Sequence, residues 1–119
     1  MVPFTETSVG PGCVRNVNSP MMCAMMAASG FAAKDYGIVR DDPGELERAM
    51  RKALAECQVL LVSGGSSAGA RDFTCQVIEK LEKGRIDFHG LRLAPGKPTI
   101  LGRALGKPVI GLPGHPVSC

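Results

Sequence analysis

Two glycine-rich segments of the chain have the residue types of ligand-binding loops. The first is Ser63-Gly64-Gly65-Ser66-Ser67-Ala68-Gly69, directly after the apolar run Val59-Leu60-Leu61-Val62. Its glycines let the backbone approach a ligand, and its amides and hydroxyls can donate to a phosphate or a heterocycle. An ordinary strand-to-helix connection is the plain alternative, although seven such residues exceed what a turn needs. The segment lacks the Gly-Lys-Ser/Thr ending of a Walker A loop. The second segment is Leu112-Pro113-Gly114-His115-Pro116-Val117-Ser118. Gly114 frees the backbone, and Pro116 fits the first position of a helix whose amino end attracts an anion. His115 stands in a Gly/Pro turn, where an exposed functional role and a structural one are both open.

The acidic candidates are Asp41, Asp42 and Asp72. Asp42 has the position of a helix N-cap, followed by Pro43 and Glu45. Asp72 lies three residues past the Gly/Ser segment, where it can cap a helix or face the same ligand. Carboxylates beside a phosphate act through a divalent cation, because direct contact is repulsive. Lys97, in Pro95-Gly96-Lys97-Pro98, is a cation held between prolines, with a solvated turn lysine as the alternative. His89 falls in a strand-like run and reads as a packed or edge residue.

These residues need a scaffold, and the composition allows one. A length of 119 residues suits a single domain. Hydrophobic residues make up 45% but aromatics only 4%, so the core has to be built from aliphatic side chains, Ala and Met. The net charge is +3 with its basic residues scattered, which disfavours nucleic acid and suits a small anionic ligand. Five cysteines, an odd number without a CxxC pair, argue against a disulfide framework or a zinc site. Reduced thiols and a cytoplasmic location are expected. The apolar stretch 21–28 is too short to span a bilayer, and the amino end lacks a signal-peptide pattern. Neither a membrane nor nucleic acid is expected as a partner.

Residues 1–18 read as an extended or looped lead-in. Ser19 offers a helix N-cap, Pro20 a first helical residue and Gly30 a stop, with Met21, Met22, Met25 and Met26 as core packing. Residues 31–39 suit a strand with a bend at Gly37. Leu46, Ala49, Met50, Ala53, Leu54 and Cys57 recur at helical spacing after Asp42. Residues 59–62 form a continuous apolar run, as in a strand buried on both faces of a parallel sheet. A third helix, which Asp72 can cap, carries Phe73, Val77, Ile78 and Leu81, and Gly84 can end it. Residues 86–93 are a further strand, and 98–101 with 108–112 form a β-hairpin. The alternation predicts an α/β fold: three layers, α/β/α, with a mostly parallel sheet plus the hairpin. In such a sheet ligands bind beyond the carboxyl ends of the strands.

The ordered set Val14-Arg15-Asn16-Val17-Asn18-Ser19, Gly37-Ile38-Val39-Arg40-Asp41-Asp42-Pro43, the segment from Ser63 to Asp72, Pro95-Gly96-Lys97-Pro98 and Gly111-Leu112-Pro113-Gly114-His115-Pro116-Val117-Ser118 resembles the molybdopterin molybdotransferase family, MoeA and the gephyrin E domain. The resemblance runs from about Gly12 to Cys119, and the five motifs together are far more specific than any one. It implies a molybdopterin-binding (MoCF) domain of the MogA-like fold, acting in molybdenum cofactor biosynthesis. Molybdate would be inserted into the dithiolene of adenylated molybdopterin with release of AMP, helped by Mg2+. Carried over by position, Asp41 and Asp72 match acidic residues of the family's cleft and would hold the magnesium. Ser63, Gly64, Gly65, Ser66, Ser67 and Gly69 match the pterin and phosphate cradle. Lys97 lies in the family's PGKP turn, and Pro113, Gly114, His115, Pro116 and Ser118 match the second binding loop.

The chain departs from the family's pattern in places. Ala94 stands where many members have a basic residue, and His115 where many have Asn. The family's strand ending in Gly-Asp-Glu and the helix after Pro-Val-Ser lie outside the sequence, which implies one domain cut short at both ends. The resemblance further implies self-association into a homo-oligomer. Two alternatives stand beside it: a molybdopterin adenylyltransferase, which the PGKP turn and the second loop disfavour, and a non-catalytic interaction module of the same fold.

Overall fold

The computed structural model describes residues 1–64, 70–92, 94 and 98–118, with the side chains of 70–72 and 118 left aside. The chain forms two units, Met1–Ile38 and Val39–Cys119.

In the first unit a short parallel bridge joins Val2 to Arg15. The Arg15 guanidinium donates to the carbonyls of Glu6 and Thr7, at 2.9 and 3.1 Å, and ties down the intervening turn. Helix α1 spans Asn18–Ala28. It starts before Ser19, which is its second residue: Val17 holds the N-cap position without a side-chain cap, and Asn16 just ahead of it accepts from the Ser19 N–H and donates its amide to Ser19 Oγ. Pro20 is therefore the third residue, still within the first turn that tolerates proline. At the other end Gly30 takes a φ of 82°. Its N–H donates to Ala27, and the Phe31 N–H donates to Met26, which is a Schellman closure.

Two expectations for this unit fail. The methionines of α1 are not core: Met21, Met22 and Met26 are half-buried, Met25 is 57% exposed, and Asn18 is the helix's buried residue. A helix that is apolar all round has no polar face to decide which side turns inward. Residues 31–38 are not a strand. Asp35 Oδ1 accepts from the Gly37 N–H, and Gly37 has a φ of 81°, so an Asx turn breaks the extended run.

The second unit is an α/β unit. Helix α2 spans Pro43–Glu56, strand β1 Leu60–Ser63, helix α3 Ala70–Lys80, β2 Arg85–His89, β3 Ile100–Ala104 and β4 Lys107–Leu112. The sheet order is β1-β4-β3-β2. β1 and β4 are parallel, while β3 is antiparallel to β4 and to β2. Parallel pairing is thus confined to the strands joined by the long α3-containing crossover. The hairpin imposes the rest, through Leu105 and Gly106, whose φ values of 52° and 75° suit a type I′ turn. β1 starts one residue later than expected and lies at an edge of the described sheet, with Leu60 buried and Leu61 to Ser63 half-buried. β2 stops at His89, where Gly90 turns away with a φ of 92°. Helices α2 and α3 touch each other as well as the sheet, so they form one layer.

The core is aliphatic, as the composition requires. α2 packs on α3, and the buried residues are Met50, Ala53 and Leu54 of α2, Val77 and Ile78 of α3, and Leu60, Leu81, Ile100, Ala104 and Val109. Register places Ile100, Gly102 and Ala104 of β3 on one face with Val109 and Gly111 of β4. That face is made of small residues where α3 presses on it: a Cβ on Gly102 would come within 2.7 Å of the Arg85 carbonyl and 3.3 Å of Ile78 Cγ2. β2 carries a bulge between Ile86 and Phe88. The extra residue, Asp87, accepts from Arg85 and Arg103, at 2.9 and 3.4 Å, two like charges that otherwise stand opposite each other across the strands. Among the described residues no helix is long and apolar enough to cross a membrane.

α3 ends at Lys80, before the Gly84 stop expected from the sequence, and Lys83 takes the left-handed position with a φ of 56°. Gly84 is required for space rather than for its own backbone angles. A Cβ there would sit 1.8 Å from the Ile78 carbonyl and 2.7 Å from that of Leu81, both rigid backbone. Gly84→Ala should therefore lower stability by about 3 kcal/mol, the upper end for overpacking. Gly106→Ala, which meets nothing within 4 Å, should cost only about 1 kcal/mol for its left-handed backbone. Urea unfolding with an unchanged slope would read both; equal losses would contradict the packing account.

Candidate functional site

The ends of the four strands make one rim. In the parallel register Ser63 pairs with Leu112, so the Gly/Ser segment and the Pro113 segment leave neighbouring strands at the same end. The Gly64 N–H adds a last hydrogen bond to the Leu112 carbonyl, at 3.2 Å. Gly64 then takes a φ of 96° and turns the chain out of the ladder. Pro113, which has no N–H to donate, ends β4. Ile100 opposes Gly111, which brings the start of β3 to the same end, and His89 opposes Ile100, which brings the end of β2 there too. With strands about 4.8 Å apart, the rim runs roughly 14 Å from β1 to β2.

Both helices of the unit present their amino ends toward this rim. Lys107, at the start of β4, donates its ammonium proton to the Leu54 carbonyl near the carboxyl end of α2. Fourteen helical residues rise about 20 Å, enough to carry the amino end of α2 back over the sheet to the other end of β4. At the hairpin end the Leu105 N–H donates to the Glu82 carbonyl, just past α3, at 2.7 Å. α3 therefore runs from the rim toward the hairpin. Unsatisfied N–H groups at such ends favour anions, and open α/β sheets bind ligands outside the carboxyl ends of their parallel strands.

The individual candidates fall out differently. Asp42 is the N-cap of α2: its φ is −127°, Pro43 follows at the first helical position, and Oδ1 accepts from the Glu45 N–H at 2.8 Å. That carboxylate is committed to the helix. Asp41, beside it, is exposed. Asp72 is not the cap of α3, because the helix begins at Ala70 and makes it the third residue. An acidic residue in that first turn still complements the helix dipole. Pro113 is buried and Gly114 half-buried, while His115, Pro116 and Val117 are exposed. Pro116 does open a helix, the 3-10 turn Pro116–Ser118. Gly65, Ser66, Ser67, Gly69 and Lys97 lie outside the described residues. Pro98 and Thr99, which follow Lys97 in sequence, lead into β3 at the rim.

His89 was read as a packed or edge residue. It is exposed, at the end of an edge strand of the described sheet, and its place on the rim follows from pairing with Ile100. No local signal marks that position, because it depends on the antiparallel pairing of β2 with β3. Among the described residues no three His, Cys, Asp or Glu side chains gather as a metal set.

The cap geometry is directly testable. Asp42→Ala should destabilise the chain by about 1 kcal/mol, whereas Asp42→Asn should be nearly neutral, since both residues cap well. Asp41→Asn should shift the thermal midpoint little. A loss at Asp41 as large as that of Asp42→Ala would reassign the cap.

The family described as "Probable molybdopterin binding domain" matches residues 2–119. A molybdopterin biosynthesis protein of Methanocaldococcus jannaschii is 40% identical over 107 residues, 90% of this chain and 26% of that protein. The molybdopterin molybdenumtransferase of Haemophilus influenzae is 38% identical over 84 residues, 71% of this chain and 20% of that protein. The crystal structure of a molybdopterin biosynthesis MoeA protein from Pyrococcus horikosii superposes with a TM-score of 0.85 and 37% identity, covering 99% of this chain and 28% of that one. The chain thus spans little more than a quarter of these relatives' length at most.

Proposed function

The chain belongs to the molybdopterin-binding domain family of molybdenum cofactor biosynthesis, and from that premise we propose that it binds adenylated molybdopterin at the rim. The single observation that carries this reading is the parallel register of Ser63 with Leu112, which starts two glycine-containing segments side by side at one end of the sheet. In this reading Ser63, Gly64, Gly65, Ser66, Ser67 and Gly69 cradle the pterin and phosphates. Pro113, Gly114, His115, Pro116 and Ser118 close the other side, and Lys97 adds a positive charge. The amino end of α3 supplies a field favourable to the same anion.

Within the complete protein the domain then supports molybdate insertion with release of AMP. Asp41 and Asp72 are the proposed holders of Mg2+. The donor chemistry fits: Asp41 is exposed while its neighbour Asp42 is used by the helix, and Mg2+ takes one or two carboxylates together with phosphates and water. The cation would neutralise charge on the phosphates. Self-association belongs to the same reading, since β1 offers backbone groups at an edge of the described sheet.

Titration of the chain with adenylated molybdopterin should show saturable binding, weakened about tenfold by Lys97→Ala, as loss of a charge-assisted hydrogen bond implies. In the longer protein, Asp41→Asn and Asp72→Asn should leave that binding in place and lower molybdate insertion at limiting magnesium. Absence of saturable binding would favour an interaction module. ATP-dependent adenylation of molybdopterin would favour the adenylyltransferase alternative.

A further inference from the structure

Outside the strand-end segments, one pair of side chains has the makings of reactive chemistry. Cys75 lies on α3, half-buried, and His89 ends β2, exposed. Their Sγ and Nδ1 atoms are 3.9 Å apart, within the range of a sulfur hydrogen bond. We propose that Cys75 and His89 form an activated thiol that reacts with hydroperoxides, a modification site distinct from pterin binding.

The juxtaposition is imposed by regular structure rather than by loops. Thr74, Val77 and Ile78 are only 4%, 1% and 0% exposed, which fixes the rotation of α3 about its axis and sets Cys75 at the margin of the packed face. His89 is fixed by its pairing with Ile100, and Gly90 by an N–H donated to the Thr99 carbonyl at 2.8 Å. Both side chains therefore start from backbone that cannot drift. Cys75 is half-buried rather than fully enclosed, and its imidazole neighbour is exposed. Cys13, Cys23 and Cys57 are free thiols on other elements, and they supply internal controls.

In the tautomer with Nδ1 unprotonated, the imidazole accepts the thiol proton and leaves a thiolate beside an imidazolium. The thiolate attacks the nearer oxygen of a hydroperoxide. An S–O bond forms as the O–O bond breaks, and the departing hydroxide or alkoxide takes the imidazolium proton. Cys75 is oxidised to the sulfenic acid and the peroxide is reduced to water or alcohol. The sulfenic acid can then condense with a small thiol, losing water and forming a mixed disulfide. α3 directly follows the Gly/Ser segment and His89 stands on the rim, so the modified side chain sits close to the elements that carry the proposed ligand site.

The test is site-resolved labelling of the whole chain. Hydrogen peroxide is added with a sulfenic-acid trap, and in parallel iodoacetamide alone, with the rate at each cysteine read by peptide mass spectrometry. Cys75 should react at least about threefold faster than Cys13 or Cys57 at neutral pH, the gain in thiolate being partly offset by its lower nucleophilicity. His89→Gln should remove that advantage and leave the other cysteines unchanged. A variant that merely loosened the fold would raise reactivity at all of them, so the pattern separates activation from unfolding. Equal rates at all the thiols, or an undiminished Cys75 rate in His89→Gln, would overturn the proposal.

Discussion

The parallel ladder between β1 and β4 is four pairs long, and the candidate site depends on it. It joins residues 60–63 to residues 109–112. Strands so far apart in sequence meet only if everything between them folds into a crossover, here α3, β2 and β3. Parallel pairing requires such a connection, whereas the antiparallel β3 and β4 need only a two-residue turn. Its register decides what the rim contains. A shift by one residue would turn Leu60 away from the helix-covered face and send the two glycine-containing segments out of step. Burial of Leu60 and Val109 on that face holds the register.

Side-chain size on the same face sets how closely α3 can lie. Gly102, Ala104 and Gly111 stand where a typical strand would carry branched residues. With Gly102 beneath it, Ile78 reaches the sheet and becomes fully buried. Glycine weakens a strand by itself, and the packing of Ile78 and Val77 offsets that loss. The bulge at Asp87 fits the same picture from the edge, where one carboxylate answers two guanidinium groups on a solvent-exposed surface. Such exposed pairs contribute little energy, and their effect is better understood as relief of repulsion between Arg85 and Arg103.

Much of the second unit was legible in the residues. The Asp42-Pro43-Gly44-Glu45 cap is local chemistry and appears where the sequence places it. The hairpin marked by the two apolar runs is present too, but its strands extend to 100–104 and 107–112 and its turn narrows to Leu105-Gly106. The common end of the two glycine-containing segments was also legible, since it requires only that each follow a strand of one parallel pair. What escaped had causes outside the local pattern. Residues 31–38 look extended by composition, but an Asx turn between Asp35 and Gly37 outweighs that preference. The methionines of α1 carry no alternation of polar and apolar positions from which burial could be read. Asp72 looked like a cap because the preceding glycines and serines hid the true start of α3. The position of His89 on the rim required the pairing of β2 with β3, a non-local fact.

The order of the strands in space also has a consequence in time. A chain made from its amino end produces β1 before β4, so β1 has to wait for its only described partner until residue 112 has left the ribosome. The β3–β4 hairpin closes through a two-residue turn and can form as soon as it emerges, while the β1 ladder bears the entropy of closing a much longer loop. During that interval the run Leu60-Leu61-Val62 combines apolar side chains with the lack of the backbone partners that β4 supplies, a combination that favours pairing with other chains. Gly64 and the serine-rich stretch after it follow that run immediately and are poor continuations of a strand. Gly64, which turns the chain out of the ladder in the finished fold, also limits the length of the exposed segment while β4 is still missing.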